Sequence, residues 1–262
     1  MSDNENYLTF AKELATEAGK IMRRYFQAED NSITRKDDQT YLTIADTSIN
    51  ELVIKSVKES YPDHGVLGEE ASYKPDRDLI WVVDPIDGTM AYTFGITNNV
   101  FVLVLTNQGQ PILGVVYDPY LNRLFWAEKG HGAFLREKQL HVNDLSLEDG
   151  VVGCSGKLSK IIDSPSTHSE IERRAHRIIS MGCVVYEGML VASGQLVAHI
   201  VSGSGAHDCV ASKLFVEEAG GKVTDLLGNN QLYNQPVRGI LASNGRVHNQ
   251  LLEIIKNNLI EK

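Results

Sequence analysis

Four short runs rich in apolar and β-branched residues follow one another in this chain: LIWVVD (79–84), NNVFVLVLT (98–106), PILGVVYD (111–118) and RLFWAEK (123–129). Asn107-Gln108-Gly109-Gln110 and Pro119-Tyr120-Leu121-Asn122 punctuate the later runs as hairpin turns, so adjacent antiparallel strands are expected. Such a sheet needs apolar partners for its faces. Leu8, Ala11, Leu14, Ala15, Ala18, Ile21, Met22 and Tyr25, at steps of three and four, put one apolar stripe on a helix over residues 7–27. A second stripe, Ile44, Ile49, Leu52, Val53, Ile54 and Val57, predicts a helix over residues 43–60, with Tyr61-Pro62 ending it. Residues 30–39 between the two helices show no regular period.

Beyond about residue 140 the pattern alternates. Strands are expected at 151–155, 177–182, 196–201, 221–225 and 239–243, and helices at 169–176, 187–193, 208–219 and 249–258. This predicts an N-terminal α+β part over residues 1–140 and a C-terminal α/β part over 141–262, sharing a broad interface because no flexible linker separates them. No internal repeat of fixed period occurs.

Against 34 Asp and Glu stand 25 Lys and Arg, a formal charge of −9. That balance argues against a nucleic-acid polymer or an anionic membrane surface as partner. No apolar run approaches the roughly 20 residues of a membrane-spanning helix, and the start lacks the basic-then-apolar pattern of a secretory signal. Cys154, Cys183 and Cys209 are odd in number and widely spaced, as buried residues of a reducing compartment would be. A cytoplasmic protein is expected.

The densest chemistry lies in Asp84-Pro85-Ile86-Asp87-Gly88-Thr89, where a buried strand runs into two carboxylates three residues apart. The segment reads two ways. It is an ordinary strand end and Asp-Gly turn, or it is half of a site for a hard divalent cation, which would relieve the repulsion between converging carboxylates. Asp84, the Ile86 carbonyl and Asp87 would supply only part of an octahedral magnesium shell, so further acids must come from elsewhere. Upstream, Gly68-Glu69-Glu70 offers one, because consecutive side chains of an extended segment face opposite ways; a solvated acidic turn is the alternative. Downstream, Asp208 opens a long helix, where capping and metal binding are compatible if different oxygens serve each role. His207 beside it suits a pocket wall better than magnesium. The Thr89 hydroxyl is placed to orient or deprotonate a water if its own proton passes to a carboxylate such as Asp46.

Residues 5–258 resemble the inositol monophosphatase family within the lithium-sensitive, magnesium-dependent phosphatases. The matching segments are GEE at 68–70, DPIDGT at 84–89 and the Asp208 segment followed by EAGGKVTD at 218–225, with ASN at 242–244 in support. The resemblance implies a layered αβαβα sugar-phosphatase fold, a homodimer, and hydrolysis of a small phosphorylated substrate by water without a covalent phosphoenzyme. It implies Glu69, Asp84, Ile86, Asp87 and Asp208 as ligands of two or three Mg2+ ions. Thr89, Asp46 and Glu69 would be the catalytic groups, and the backbone around Gly88 and Thr89 would hold phosphate. Lys36, in Lys36-x-Asp38, and Glu70 would stand behind the metal shell.

The chain departs from the family pattern on the leaving-group side. Met90-Ala91-Tyr92 replaces the usual Asn-Phe continuation, His207 the usual Trp, and Val201 the acid common in polyol-binding members; Glu187 stands where Asn or Asp is more frequent. Glu187, Val201 and His207 are therefore the candidate substrate contacts, with His199 and the 202–204 segment beside them. Inositol monophosphate is the leading substrate. The alternatives are a 3′(2′),5′-bisphosphate nucleotide, histidinol phosphate and fructose 1,6-bisphosphate, or a catalytically weak homologue that binds metal and regulates.

Overall fold

The computed structural model describes residues 3–37, 39–156, 161–203 and 205–260. The first apolar stripe forms helix α1 (Asp3–Tyr25), followed by a small antiparallel hairpin, β1 (Ile33–Arg35) and β2 (Tyr41–Thr43), in the segment without period. Thr43 ends β2 and caps α2 (Ile44–Ser60), whose third residue, Asp46, returns the bond to the Thr43 backbone; the capping box sets where the helix starts.

The expected β-rich runs form a seven-stranded sheet. Its members in chain order are β3 (Gly65–Gly68), β4 (Leu79–Asp87), β5 (Val100–Asn107), β6 (Gln110–Asp118), β7 (Arg123–Glu128), β8 (Gly132–Leu135) and β9 (Lys138–Gln139), and they lie side by side in that order. Only β3 and β4 run parallel, with the short helix α3 (Thr89–Thr93) between β4 and β5. The rest of the chain forms β10 (Val151–Gly156), α4 (Ser164–Glu172), β11 (Arg177–Ile179), α5 (Val184–Ala192), β12 (Ala198–Ser202), α6 (Ala206–Glu218), β13 (Lys222–Thr224), β14 (Ile240–Ser243) and α7 (His248–Asn257). Its five strands order as β11-β10-β12-β14-β13, with β11, β10 and β12 parallel and β14 antiparallel to both its neighbours.

Side-chain alternation decides the layers. Trp81 and Val83 of β4, with Phe101, Leu103 and Leu105 of β5, pack beneath α1 and α2. Their neighbours Ile80, Val82, Val102 and Val104 face α5 and α6, and the same apolar cluster continues into Val201, Val223 and Ile240 of the second sheet. The far face of that sheet, with Val152, Ile200 and Leu241, is covered by Ile171 of α4 and Leu251 and Ile254 of α7. The result is the αβαβα stack, and its central helices, α5 and α6, both follow residue 140 and pack between the two sheets. Among the described residues no helix is long and apolar enough to cross a membrane.

Beyond residue 140, α4 and α5 start well before the apolar period predicts. The one expected at 169–176 occupies Ser164–Glu172, where Asp163 caps it and Pro165 sits in the first turn; only Thr167 and Ile171 are buried on it, so it carries little period. The helix expected at 187–193 begins at Val184, with no side chain of its own as a cap.

The central helices approach closely at Gly188, where an added Cβ would stand 2.0 Å from Ser212 Oγ and 2.9 Å from Ser212 Cβ. Gly188→Ala is expected to cost about 1–3 kcal/mol in urea unfolding, the usual penalty of overpacking. In a Ser212→Ala background, which removes the nearest atom, the penalty should shrink; an equal penalty in both backgrounds would rule out this contact as the cause.

Candidate active site

The strand ending in Asp84 does not stop at Pro85. β4 pairs with β5 as far as Asp84↔Val102 and resumes at Asp87↔Val100, with a register shift between. Proline has no N–H to give the ladder, so the irregularity falls at Pro85 and Ile86 and turns both aspartates out of the regular pleat. Gly88 then takes φ +89°, and a Cβ there would meet Asn98 O at 2.8 Å. Only glycine suits that corner.

Asp84, Asp87 and Asp208 converge: each presents a carboxylate oxygen within 4.8 Å of the others. The donor set is all oxygen, the choice of a hard cation rather than of zinc. Burial, then the charges of Glu69, Asp87 and Asp208, push the Asp84 carboxyl well up from the usual range. Burial also lifts Asp87 to about 7, against the opposing effect of its hydrogen bonds. Two buried acids and a half-buried third are gathered here at a cost that a hard cation would relieve.

Each acid has a second partner that fixes it. Asp87 Oδ1 accepts the Val184 N–H at 2.9 Å, and Oδ2 accepts Val185 N–H at 2.8 Å, Tyr186 N–H at 3.2 Å and the Cys183 thiol at 2.8 Å. The missing cap of α5 is therefore supplied from β4, 96 residues or more upstream. Asp208, third residue of α6, accepts the Gly205 N–H at 2.8 Å, so capping and a place in the cluster coexist. Asp84 Oδ1 accepts the Ile86 N–H at 3.1 Å.

Thr89 Oγ1 lies 2.9 Å from Ile86 O and 3.3 Å from Asp46 Oδ1. The contact that sequence spacing left undecided is thus made. Asp46 Oδ2 accepts from both the N–H and the hydroxyl of Thr43, yet burial still lifts its carboxyl to about 7. Lys36 Nζ bridges Glu69 at 3.0 Å and Glu70 at 2.5 Å. Burial alone would lower the Lys36 amine, but the two glutamates outweigh it and raise it.

These groups open on a cavity of about 760 Å³ lined by Lys36, Glu69, Asp84, Ile86, Asp87, Gly88, Thr89, His207 and Asp208. Glu70 is not in its wall, as the alternation of extended side chains predicts. Gln39, Thr40 and Tyr41 of the hairpin, with Met90, Ser155, Ser180, Gly182, Val184, Gly203 and Gly205, line the rest of it among the described residues. Sequence reasoning missed Tyr41, Ser155 and Ser180. The hairpin triplets Ile33–Arg35 and Tyr41–Thr43 are too short for period to register, and nothing local marks the two serines.

On the leaving-group side the structure separates the candidates. His207 lines the cavity, with Nε2 3.5 Å from Asp208 Oδ2. Val201 is fully buried in the core between the sheets and is not in the wall. Glu187 and His199 are fully buried too, and Glu187 Oε1 accepts the Met181 N–H at 2.7 Å. These three positions therefore lie buried behind the wall. Asp38 and Ser204 lie outside the described residues.

Known proteins are similar over nearly the whole chain. The model of the "Inositol monophosphatase family" matches residues 3–259. A Thermotoga maritima protein named fructose-1,6-bisphosphatase/inositol-1-monophosphatase is 27% identical over 97% of both chains. A histidinol-phosphatase of Chlorobaculum parvum is 31% identical, over 95% of this chain and 96% of its own. The solved structure of Thermotoga maritima IMPase superposes with a TM-score of 0.87 at 25% identity, over 96% of this chain and 97% of that one. With the family model spanning almost every residue and the acidic segments gathered at one cavity, the chain belongs to the inositol monophosphatase family, a family of phosphatases.

Proposed function

We propose that this chain is a magnesium-dependent phosphomonoesterase that hydrolyses a small phosphorylated polyol, inositol monophosphate first among them, as a cytoplasmic homodimer. One observation carries the reading: the Asp84, Asp87 and Asp208 carboxylates meet at the cavity onto which the Thr89 hydroxyl opens, with Asp46 behind it.

Glu69, Asp84, the Ile86 carbonyl, Asp87 and Asp208 would hold Mg2+, which when bound supplies Lewis acidity toward the phosphoryl oxygens, water and the departing alkoxide. Around it the chain's own groups act in turn. The first N–H groups of α3, at Gly88 and Thr89, have no helical partner and donate to a phosphate oxygen without any basic side chain. Thr89 Oγ1 receives a proton from the attacking water as its own passes to Asp46 Oδ1, 3.3 Å away. Asp46 suits that task because burial has lifted its carboxyl to about 7, near the working pH. Lys36 holds Glu69 and Glu70 in place and offsets their charge.

The cavity also argues for a neutral leaving group with one phosphate. Among the described residues, every carboxylate in its wall belongs to the metal set, so the amino group of histidinol phosphate would find no separate counter-charge. Among the described residues its wall holds one lysine, Lys36, already bound to two glutamates, and one histidine, His207, beside Asp208; a second phosphate, as in a bisphosphate, would lack an uncommitted lysine or arginine.

The test is inorganic phosphate release from inositol 1-phosphate, histidinol phosphate, fructose 1,6-bisphosphate and 3′-phosphoadenosine 5′-phosphate, each with magnesium or EDTA. Inositol 1-phosphate should lead, and EDTA should abolish release. Preference for histidinol phosphate or a bisphosphate would replace the substrate, and no release from any compound would favour the non-catalytic, metal-binding reading.

A further inference from the structure

Behind the leaving-group wall lies a buried polar cluster that the catalytic machinery leaves unused. His199 on β12 and Glu187 on α5 are both fully buried. His199 Nε2 lies 2.9 Å from Ser155 Oγ and 3.3 Å from Glu187 Oε2. His199 Nδ1 and Glu187 Oε2 have no hydrogen-bond partner among the described residues, so the pair is retained at a cost that packing alone does not explain. Gly153, paired with His199 across β10 and β12, keeps the space open: a Cβ there would stand 2.6 Å from Glu187 Oε2 and 3.0 Å from His199 Cδ2.

Ser155 is the one member of this cluster that reaches the cavity wall. A hydroxyl has one donor and two acceptor positions, and the bond to His199 takes one of them. The hydroxyl therefore keeps hydrogen-bonding capacity for a ligand. Ser155 stands directly across the β10–β12 ladder from Val201, the buried position where a polyol-binding acid is missing. Glu187 also holds the Met181 N–H, tying down the segment whose neighbours Ser180 and Gly182 line the same wall.

We propose that Ser155 is the leaving-group contact of this enzyme, and that His199 and Glu187 are positioning residues that aim its hydroxyl at a hydroxyl of the departing alcohol. The inference rests on the phosphomonoesterase reading and deepens it: the polyol is read by a neutral hydroxyl on β10 instead of a carboxylate on β12. Burial drives His199 down to about 3, and Glu187 lies buried behind Ser155, so what the cluster presents to the cavity is the Ser155 hydroxyl. A neutral, hydroxyl-bearing alcohol is the matching ligand.

The experiment compares kcat/KM for inositol 1-phosphate with kcat/KM for propyl phosphate, a monoester whose leaving group carries no further hydroxyl, at saturating magnesium. Ser155→Ala should lower the inositol-to-propyl ratio about fivefold to tenfold, through KM, the scale of one neutral hydrogen bond. Ser155→Thr, which keeps the hydroxyl, should restore most of it. His199→Phe should lower the ratio as Ser155→Ala does, and His199→Gln, which keeps an N–H facing Ser155, should recover part of it. An unchanged ratio in Ser155→Ala, whether both substrates slow equally or neither slows, overturns the proposal while leaving the phosphatase reading intact. Phosphate release from neither substrate by the unaltered protein would instead overturn that reading, and this one with it.

Discussion

Asp84→Asn is expected to do two opposite things: lower magnesium-supported turnover by about 10³-fold or more, and raise the melting temperature of the metal-free protein. The first follows from the charge lost at a shared cation site. A carboxylate that helps fix a catalytic metal is worth several kcal/mol of transition-state stabilisation, and about 4 kcal/mol is a factor of 10³. The second follows from the same charge in the absence of the cation. Asp84 is 2% exposed and faces Asp87 and Asp208, and burial and these neighbours disfavour its ionised form. An amide of the same shape removes the repulsion and still accepts the Ile86 N–H through Oδ1. A gain of roughly 1–2 kcal/mol would raise Tm by about 2–8 °C in a chain of this size. Thermal unfolding in EDTA and phosphate release in magnesium read the two effects separately. Wild-type turnover at saturating magnesium would remove Asp84 from the metal shell. Loss of both activity and stability would mean that the side chain is mainly structural.

The residues that make this prediction were legible because their chemistry is local. An apolar run reaching Asp84-Pro85-Ile86-Asp87-Gly88 reads as a buried strand whose ladder is disturbed at the proline, and both acids lie at that disturbance, though β4 itself continues to Asp87. The stripes of α1 and α2, and the turns between β5, β6 and β7, are legible for the same reason: period and punctuation lie within one segment. What sequence did not show depends on partners far along the chain. α5 starts three residues before its apolar pattern because Asp87 caps it from another sheet, and no residue near Val184 signals that. The hairpin that brings Lys36 and Tyr41 to the cavity is two triplets long, too short for alternation to show. On the leaving-group side, Val201, Glu187 and His199 were singled out from sequence, yet all three side chains point into packed interior and the wall is made by Ser155, Ser180 and Met90. Which face of β12 and α5 meets solvent is set by how the second sheet stacks on the central helices, a relation between layers that no single segment encodes. Met90, 55% exposed at the rim, also shows the limit of pattern: it is an apolar side chain left in water at the mouth of a site.

Magnesium should stabilise the protein far more at pH 8 than at pH 5.5, and its binding at the lower pH should release protons. Burial lifts both Asp46 and Asp87 to about 7 in the folded chain, whereas an unfolded aspartate titrates near 3.9. Between about pH 4 and pH 7 the folded state therefore holds more protons than the unfolded one, and the contribution of these groups to stability falls as pH rises through that window. His199 and His248 act in the opposite sense. Burial drives them down to about 3 and about 4, so the unfolded state holds their protons up to about pH 6.5, and stability from these two rises with pH. Metal-free stability alone thus mixes two slopes, but the difference between magnesium and EDTA isolates the carboxylates, because neither histidine lines the cavity. A cation needs its ligands ionised, so each proton it must displace weakens binding by about tenfold per pH unit below the ligand's own titration. The magnesium concentration at the midpoint of thermal stabilisation should fall at least tenfold between pH 5.5 and pH 7.5 and then level off. Calorimetric titrations in two buffers of different ionisation enthalpy should show proton release at pH 6 and little at pH 8. A midpoint independent of pH, with no proton release, would mean that the acids at this cavity are already ionised at pH 5.5, and that the cost of gathering them is met by the fold rather than by protons or metal.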